Sequence, residues 1–148
     1  MNPTIRIQTR DFDVARELDA LSRGRANVGA LASFVGLVRG DDGLVAMTLE
    51  HYPKMTEREI ARHAEEAASR WPLSGVTIVH RVGRLVPGER IVLVATASPH
   101  RAAAFESCQF LMDYLKTRAP FWKQEERSGG KTWVEAKSSD VSAADRWK

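Results

Sequence analysis

Lys116 and Lys123 are the residues whose type and spacing most directly suggest chemistry, because Pro120 lies between them. Proline disfavours the helical conformation of the residue before it, so a helix that carries Lys116 should end just ahead of Pro120. Residues 121–125 then predict a strand with Lys123 and Glu125 on one face. Two amines held close together beside apolar walls lose part of their preference for the charged form, which favours nucleophilic or acid–base chemistry. The alternative is a solvated basic patch beside two aromatic core residues.

A second group of residues predicts an anion site. His100 and Arg101 lie where a predicted strand ends and a helix begins. Free backbone N–H groups and the helix dipole attract anions at such a position. Arginine adds a planar two-point grip for phosphate or carboxylate. Arg39 ends a strand that contains Gly36, which lets a ligand or another backbone approach closely. The alternative for each of them is an exposed side chain without a ligand.

The cysteine and the remaining histidines carry weaker signals. Cys108 lies on an apolar helix stripe with Phe105, so we expect a buried and inert thiol. His51 and His80 fall within predicted strands, where a core or edge role is expected, and His63 is predicted to be solvated. No cysteine and histidine cluster has the spacing of a zinc site. We therefore expect neither a metal nor a cofactor.

Length and charge limit the classes of protein. The 148 residues fit one domain, 1–148, with a polar tail from about residue 137. No apolar run approaches the ~20 residues of a membrane-spanning helix, and the first residues lack the apolar core of a signal peptide. We therefore expect a cytoplasmic protein without a membrane partner. The net charge of +3 favours anionic ligands or an acidic partner, but it is too weak to indicate nucleic-acid binding.

The pattern of apolar residues, turns and caps predicts an α+β fold in which helices cover one side of a largely antiparallel sheet. A strand at residues 28–38 is apolar on both faces, which predicts a central position. The turn at Asp41–Gly43 predicts that residues 44–52 return as its antiparallel neighbour. Thr56 and Ser98 are predicted to cap two helices. The predicted elements are a strand at 5–7, a helix after Asp13, strands at 28–38 and 44–52, a helix after Thr56, strands at 76–82 and 91–97, a helix after Ser98, and strands at 121–125 and 133–136.

The predicted helix length separates the two groups of candidate residues. Arg101 and Lys116 are 15 positions apart at opposite ends of one helix, which is roughly 20 Å at ~1.5 Å per residue. They cannot both contact one small ligand from the same chain. Either they serve different sites, or a symmetric dimer brings His100 and Arg101 of one copy against Lys116 and Lys123 of the other. We favour the dimer.

Taken in order, several segments resemble the large, catalytic subunit of molybdopterin synthase. Each segment is weak alone, but their order and spacing together are specific. The segments are residues 34–39, 49–52, 80–83, 88–89, 100–105, 112–116, 119–123 and 133–135.

The resemblance implies an α/β hammerhead-like fold with a small antiparallel β subdomain. It also implies sulfur transfer in molybdenum cofactor biosynthesis. In that family a ubiquitin-like small subunit carries a thiocarboxylate on its C-terminal Gly-Gly. Its sulfur passes to cyclic pyranopterin monophosphate and forms the dithiolene of molybdopterin. The implied assembly is a heterotetramer, a homodimer of large subunits with one small subunit at each end.

The resemblance also implies roles for individual residues. Lys116 matches the principal catalytic lysine of the family and Lys123 the second one, and both belong to the substrate pocket. Arg39, His100 and Arg101 match residues that bind the anionic group of the substrate. The flanking residues expected to line the pocket are Leu37, Val38, Gln124 and Glu125. Leu37 replaces a lysine or other polar residue that is frequent in the family, and Gln124 replaces a basic residue.

An alternative function is a non-catalytic basic module that binds the C-terminal tail of an acidic partner protein. A module of that kind would keep a groove for the tail but would need no phosphate site. The combination of Arg39 with His100 and Arg101 therefore favours the enzyme.

Overall fold

Eight strands, four α-helices and a short 3-10 turn form residues 1–135 and 138–148, the part of the chain that this computed structural model describes. The end of the predicted strand 133–136 and the start of the predicted tail, residues 136 and 137, lie outside the described residues. No helix in the described ranges is long and apolar enough to cross a membrane. The elements are β1 Thr4–Gln8, α1 Val14–Ser22, β2 Ala30–Leu37, the 3-10 turn Asp41–Gly43, β3 Ala46–His51, α2 Met55–Arg70, β4 Gly75–Arg81, β5 Gly83–Leu85, β6 Arg90–Ser98, α3 Arg101–Thr117, β7 Phe121–Arg127, β8 Gly130–Val134 and α4 Ser138–Asp145.

The first sheet has the strand order β1-β4-β6-β2, with β1 parallel to β4 and the other pairs antiparallel. Strand β6 sends Val92 and Val94 into the core shared with α2 and α3, and Leu93 and Ala95 into a second core beneath α1. The expectation that helices cover only one side is therefore wrong. An apolar run on both faces of a strand must be covered twice, and α1 covers the second face.

The second sheet has the order β5-β3-β7-β8 and is antiparallel throughout. Strand β2 was expected to be central and paired with β3, but it is an edge strand that pairs with β6 over eight residue pairs. The turn between them does not close a hairpin: Asp41–Gly43 form a 3-10 turn with Asp42 in a left-handed conformation, and β3 then pairs within the second sheet. The result is the predicted small antiparallel subdomain.

Side-chain oxygens mark two helix starts. Asp13 caps α1 as predicted, accepting a hydrogen bond from the Arg16 N–H at 3.1 Å. Ser98 does not cap α3 in the predicted position, because β6 runs to Ser98 and the helix begins only at Arg101. Its hydroxyl instead donates to the Pro72 carbonyl at 2.8 Å and accepts from the backbone N–H of His100 at 3.2 Å. This fixes the chain just before the candidate anion-binding pair.

The polar C-terminal segment ends in a docked aromatic side chain. After α4, the Trp147 ring packs edge-on against Trp71 and Phe110, with centroid distances of 5.7 and 5.6 Å. Its indole N–H donates to the Asp113 carboxylate at 2.6 Å. The end of the chain is thereby attached to α3.

Candidate active site

The corner around Pro120 separates the two candidate lysines as predicted. Helix α3 ends at Thr117, where the backbone N–H of Arg118 donates to the Tyr114 carbonyl at 2.9 Å. Strand β7 begins at Phe121, immediately after the proline. One lysine therefore lies on the last turn of a helix and the other on the strand that follows.

Thr56 holds this corner from the side of α2. Its hydroxyl donates to the Pro120 carbonyl at 3.0 Å and accepts from the Tyr52 N–H at 3.0 Å. The prediction that Thr56 caps α2 is therefore wrong, since α2 begins at Met55 with Lys54 at the cap, two residues earlier than predicted. A hydroxyl expected to serve its own helix connects two distant elements.

Both lysines line one cavity of about 640 Å³, hereafter the lysine cavity. Its walls come from β7, the end of α3, and the segment that follows β2. Alternate residues of β7 face it, as expected for a strand. Among the residues proposed from the sequence, those in its lining are Leu37, Val38, Arg39, Lys116, Lys123 and Glu125.

Three of the proposed residues lie elsewhere. Gln124 is on the opposite face of β7, paired in register with Thr48 and Trp133. His100 and Arg101 are exposed at the far end of α3, about 20 Å from the lysine end of the helix. The separation expected from helix length is present, and one chain does not unite the two groups.

Carboxylates accompany the arginines at the cavity. The Arg39 guanidinium pairs with Asp41 at 2.8 Å, and both side chains are exposed. Arg127 pairs with Glu125 at 3.1 Å and also donates to the backbone carbonyl of Asp42 at 2.9 Å. The acidic 3-10 turn thus supplies a partner to each arginine, and it competes with any anionic ligand of Arg39.

His80 lines the lysine cavity, although sequence reasoning assigned it only a core or edge role. The residue is 7% exposed, and its ring stacks on Phe121 with 3.9 Å between centroids and 18° between planes. Its Nδ1 lies 2.9 Å from the Arg81 carbonyl oxygen. Burial lowers the pKa of His80 to about 4, and the charges of Lys116 and His51 add to the effect. No local signal separates it from the apolar residues of β4.

A neighbouring cavity of about 440 Å³ shares Lys116 and Met112 with the lysine cavity. Phe34 and Phe105 form part of its wall. Phe105 was expected in the core but is 67% exposed, because it lies on the outer side of α3. Cys108 is buried there, and burial raises the pKa of its thiol to about 11, which agrees with the expected inert role.

His63 lies outside both cavities and is buried, so the expectation that it is solvated is wrong. Its ring stacks on Tyr114 of α3 at 3.4 Å, a contact that the pattern of α2 alone does not reveal. Its Nδ1 lies 3.2 Å from the Glu59 carbonyl oxygen, and burial lowers its pKa. Within the described ranges no group of three or more histidines, cysteines or carboxylates is arranged to hold a metal ion.

The family follows from comparison with known sequences. Residues 7–118, which include Lys116 and the whole of β2 to β6, match the model of the MoaE protein family. The chain belongs to the MoaE family. Its match covers most of the chain and includes both ends of α3.

Two relatives extend the match to nearly the whole chain. A protein of Mesorhizobium japonicum is 61% identical, covering 99% of this chain and 94% of its own. A protein of Pseudomonas aeruginosa is 53% identical, covering 97% and 98%. Both are named molybdopterin synthase catalytic subunit. The resemblance stated from the sequence is confirmed, and the chain is an enzyme of molybdenum cofactor biosynthesis.

Solved MoaE structures share the fold. The molybdopterin biosynthesis MoaE protein of Burkholderia ambifaria is 55% identical with a TM-score of 0.85, covering 98% of this chain and 97% of its own. Molybdopterin synthase of Staphylococcus aureus is 28% identical with a TM-score of 0.79, covering 87% and 95%. These structures confirm the predicted α+β class.

Proposed function

We propose that this chain transfers sulfur from the C-terminal thiocarboxylate of a ubiquitin-like small subunit to cyclic pyranopterin monophosphate. The product is the dithiolene of molybdopterin. The observation that carries the proposal is the convergence of Lys116 and Lys123, from the two sides of the Pro120 corner, on one cavity with Arg39 in its lining.

The two lysines would provide the electrostatic part of the reaction. Met47, Leu49 and Leu115 supply apolar lining to the cavity, and a bound tail and substrate would displace water there and strengthen the interactions of the amines with developing negative charge. A lysine placed there polarises the oxygen that leaves the pterin side chain or stabilises the thiocarboxylate that attacks it. The buried Cys108 is not suited to relay sulfur, and the partner's thiocarboxylate makes such a relay unnecessary.

A homodimer would complete the substrate site. Arg39 lines the cavity just before the 3-10 turn, and Arg127 lines it from β7, where it is paired with Glu125. His100 and Arg101 lie at the other end of α3. A neighbouring copy related by a two-fold axis supplies that pair to hold the phosphate. Support comes from exposed apolar side chains on the edge strand β2, Leu31 and Phe34, which a partner copy would cover.

The small subunit would enter by its extended tail. The open cavity of about 640 Å³ would receive a Gly-Gly terminus, whose lack of side chains permits close approach to the lysines. One small subunit at each end of the homodimer gives a heterotetramer. We place this reaction in the cytoplasm, where the small subunit and the pterin precursor would meet the enzyme.

The test is reconstitution. The purified chain, a thiocarboxylated small subunit and the pterin precursor are mixed, and dithiolene product is measured. Lys116→Ala should reduce turnover by at least about 100-fold, whereas Lys131→Ala on β8, an exposed lysine outside the cavity, should not change it. Sedimentation should give the mass of a dimer for both variants. Binding of the small subunit without any product from the unmodified chain would favour the non-catalytic module instead.

A further inference from the structure

His80 contacts the strand that carries Lys123 and lines the same cavity as Lys116. Its ring is stacked face to face on Phe121, which lies two residues before Lys123 on β7, and it lines the lysine cavity together with Lys116. A ring held by stacking and by burial has little freedom to turn. It therefore forms a fixed part of the cavity wall.

The contacts of the ring determine its tautomer. Nδ1 lies 2.9 Å from the carbonyl oxygen of Arg81, and a carbonyl oxygen only accepts hydrogen bonds. The proton of the neutral imidazole is therefore on Nδ1, and Nε2 is left as an acceptor. Burial, followed by the charge of Lys116, lowers the pKa of His80 to about 4, so the ring stays neutral near pH 7.

The charged groups of the cavity favour a neutral hydrogen-bond acceptor beside the lysines. Arg39 is paired with Asp41, and Arg127 with Glu125. The two lysines are also cations of the described lining, and their ammonium groups only donate; Asp42, Glu135 and Asp140 add carboxylates to the same lining. A charged imidazole would repel them, while a neutral one with a free lone pair can orient an amine without neutralising it.

We propose that His80 is a positioning residue for Lys116: Nε2 of its neutral imidazole accepts a hydrogen bond from the Lys116 amine, directly or through one water molecule, and aims that amine into the lysine cavity. The stack on Phe121 ties the same ring to the strand of Lys123, so one side chain sets the relative positions of both amines. The catalytic consequence rests on the proposed sulfur transfer, but the contact with Lys116 does not.

His63 provides a matched control within the chain. Like His80 it is 7% exposed, stacks on an aromatic ring and has Nδ1 close to a backbone carbonyl. It lies outside both cavities. A phenylalanine at either position keeps the stack and removes the imidazole nitrogens. His63→Phe also removes the contact of Nε2 with the Glu66 carboxylate at 3.9 Å, whereas His80→Phe removes an acceptor that lines the lysine cavity with Lys116.

The first measurement needs no turnover. The full chain is treated with an acetylating N-hydroxysuccinimide ester at pH 8, and the rate of modification at Lys116 is followed by mass spectrometry. His80→Phe removes a hydrogen bond that favours the ammonium form, so a larger fraction of Lys116 is uncharged and its acetylation should accelerate up to about tenfold. His80→Gln, which restores an acceptor near Nε2, and His63→Phe should both stay within about twofold of the unmodified chain.

The second measurement is steady-state kinetics with the small subunit. His80→Phe should lower kcat by about 10- to 100-fold and leave KM within about twofold, because the amine is misplaced and the phosphate contacts remain. His80→Gln should recover most of kcat. Equal Lys116 acetylation in His80→Phe and His63→Phe would overturn the proposal, as would a loss in His80→Phe that His80→Gln does not recover. Absence of turnover in the unmodified chain would count against sulfur transfer alone, since the acetylation rates would still decide the role of His80.

Discussion

The hydroxyl of Thr56 donates a hydrogen bond to the carbonyl oxygen of Pro120 and so attaches the first turn of α2 to the corner between the two lysines. Thr56 is fully buried, and the same hydroxyl also accepts from the Tyr52 N–H. A single oxygen thereby fixes the end of β3 and the start of β7, the two neighbouring strands of the second sheet.

Replacing Thr56 with valine keeps the shape of the side chain and leaves the Tyr52 N–H and the Pro120 carbonyl without their partner. The free energy of unfolding should fall by about 1–3 kcal/mol, and turnover should fall with it as the corner loosens. Chemical denaturation and the dithiolene assay measure the two effects. Ser69→Ala removes an exposed hydroxyl that bonds only within α2, and it should change stability by less than about 0.5 kcal/mol. Equal stabilities for the two variants would contradict the role of the Thr56 bond.

Asp41 competes with anionic ligands for Arg39, because the two side chains form an exposed ion pair at 2.8 Å. Asp41→Asn should release the guanidinium and lower KM for the proposed substrate, cyclic pyranopterin monophosphate, by about two- to fivefold at low ionic strength. The gain should fade as salt is added. Asp19→Asn, which removes the carboxylate of another exposed pair on α1, is the control and should leave KM unchanged. A KM that rises in Asp41→Asn would mean that the carboxylate helps to hold the substrate site together.

Local rules in the sequence predicted the corner and its two lysines. Proline geometry placed the end of the helix, alternation placed Lys123 and Glu125 on one face of β7, and helix rise separated Arg101 from Lys116. Each of these inferences depends on a few consecutive residues. They were correct because proline geometry, strand alternation and helix rise act between neighbouring residues.

Long-range pairing was not predictable from the same patterns. Strand β2 is apolar on both faces, which suits a central strand, yet it lies at an edge because β6 is its partner and β3 is drawn into the second sheet. In the sequence, His80 is one residue of an apolar strand, and nothing in that pattern places it at a cavity. The structure does so, because its ring stacks on Phe121 and lines the lysine cavity. Contacts between residues forty positions apart leave no periodic signal.

Gly29 approaches Pro99 so closely that an added Cβ would lie 2.2 Å from the Pro99 carbonyl oxygen. That oxygen belongs to the backbone just before His100 and cannot move without shifting the start of α3. Gly29→Ala should therefore destabilise the chain by about 1–3 kcal/mol. It should also raise KM, because it would displace His100 and Arg101, which we propose hold the phosphate of the substrate. Thermal unfolding and kinetics test both effects. Gly129→Ala is the matched control, because a Cβ there would meet nothing within 4 Å.

The buried imidazole of His80 should make stability depend on pH. Its pKa falls to about 4 on folding, below the ordinary value of about 6.5, so the unfolded chain binds the additional proton between these values. The stability that this neutral ring contributes is present above about pH 6.5 and is lost as the pH falls towards 4. Between pH 7 and pH 5 the free energy of unfolding should decrease by about 2 kcal/mol from this group.

Urea denaturation of the unmodified chain and of His80→Phe at pH 7, 6 and 5 measures this dependence. The variant should lose most of the decrease, and His63, whose pKa is also lowered by burial, should account for part of what remains. Asp11, whose pKa is lowered to about 2 chiefly by its hydrogen bond with Arg90, titrates below this range and should not contribute. Parallel stability curves for the two proteins would mean that the pKa of His80 does not change on folding. Burial of the ring would then not disfavour its charged form, and the predicted dependence of stability on pH would be wrong.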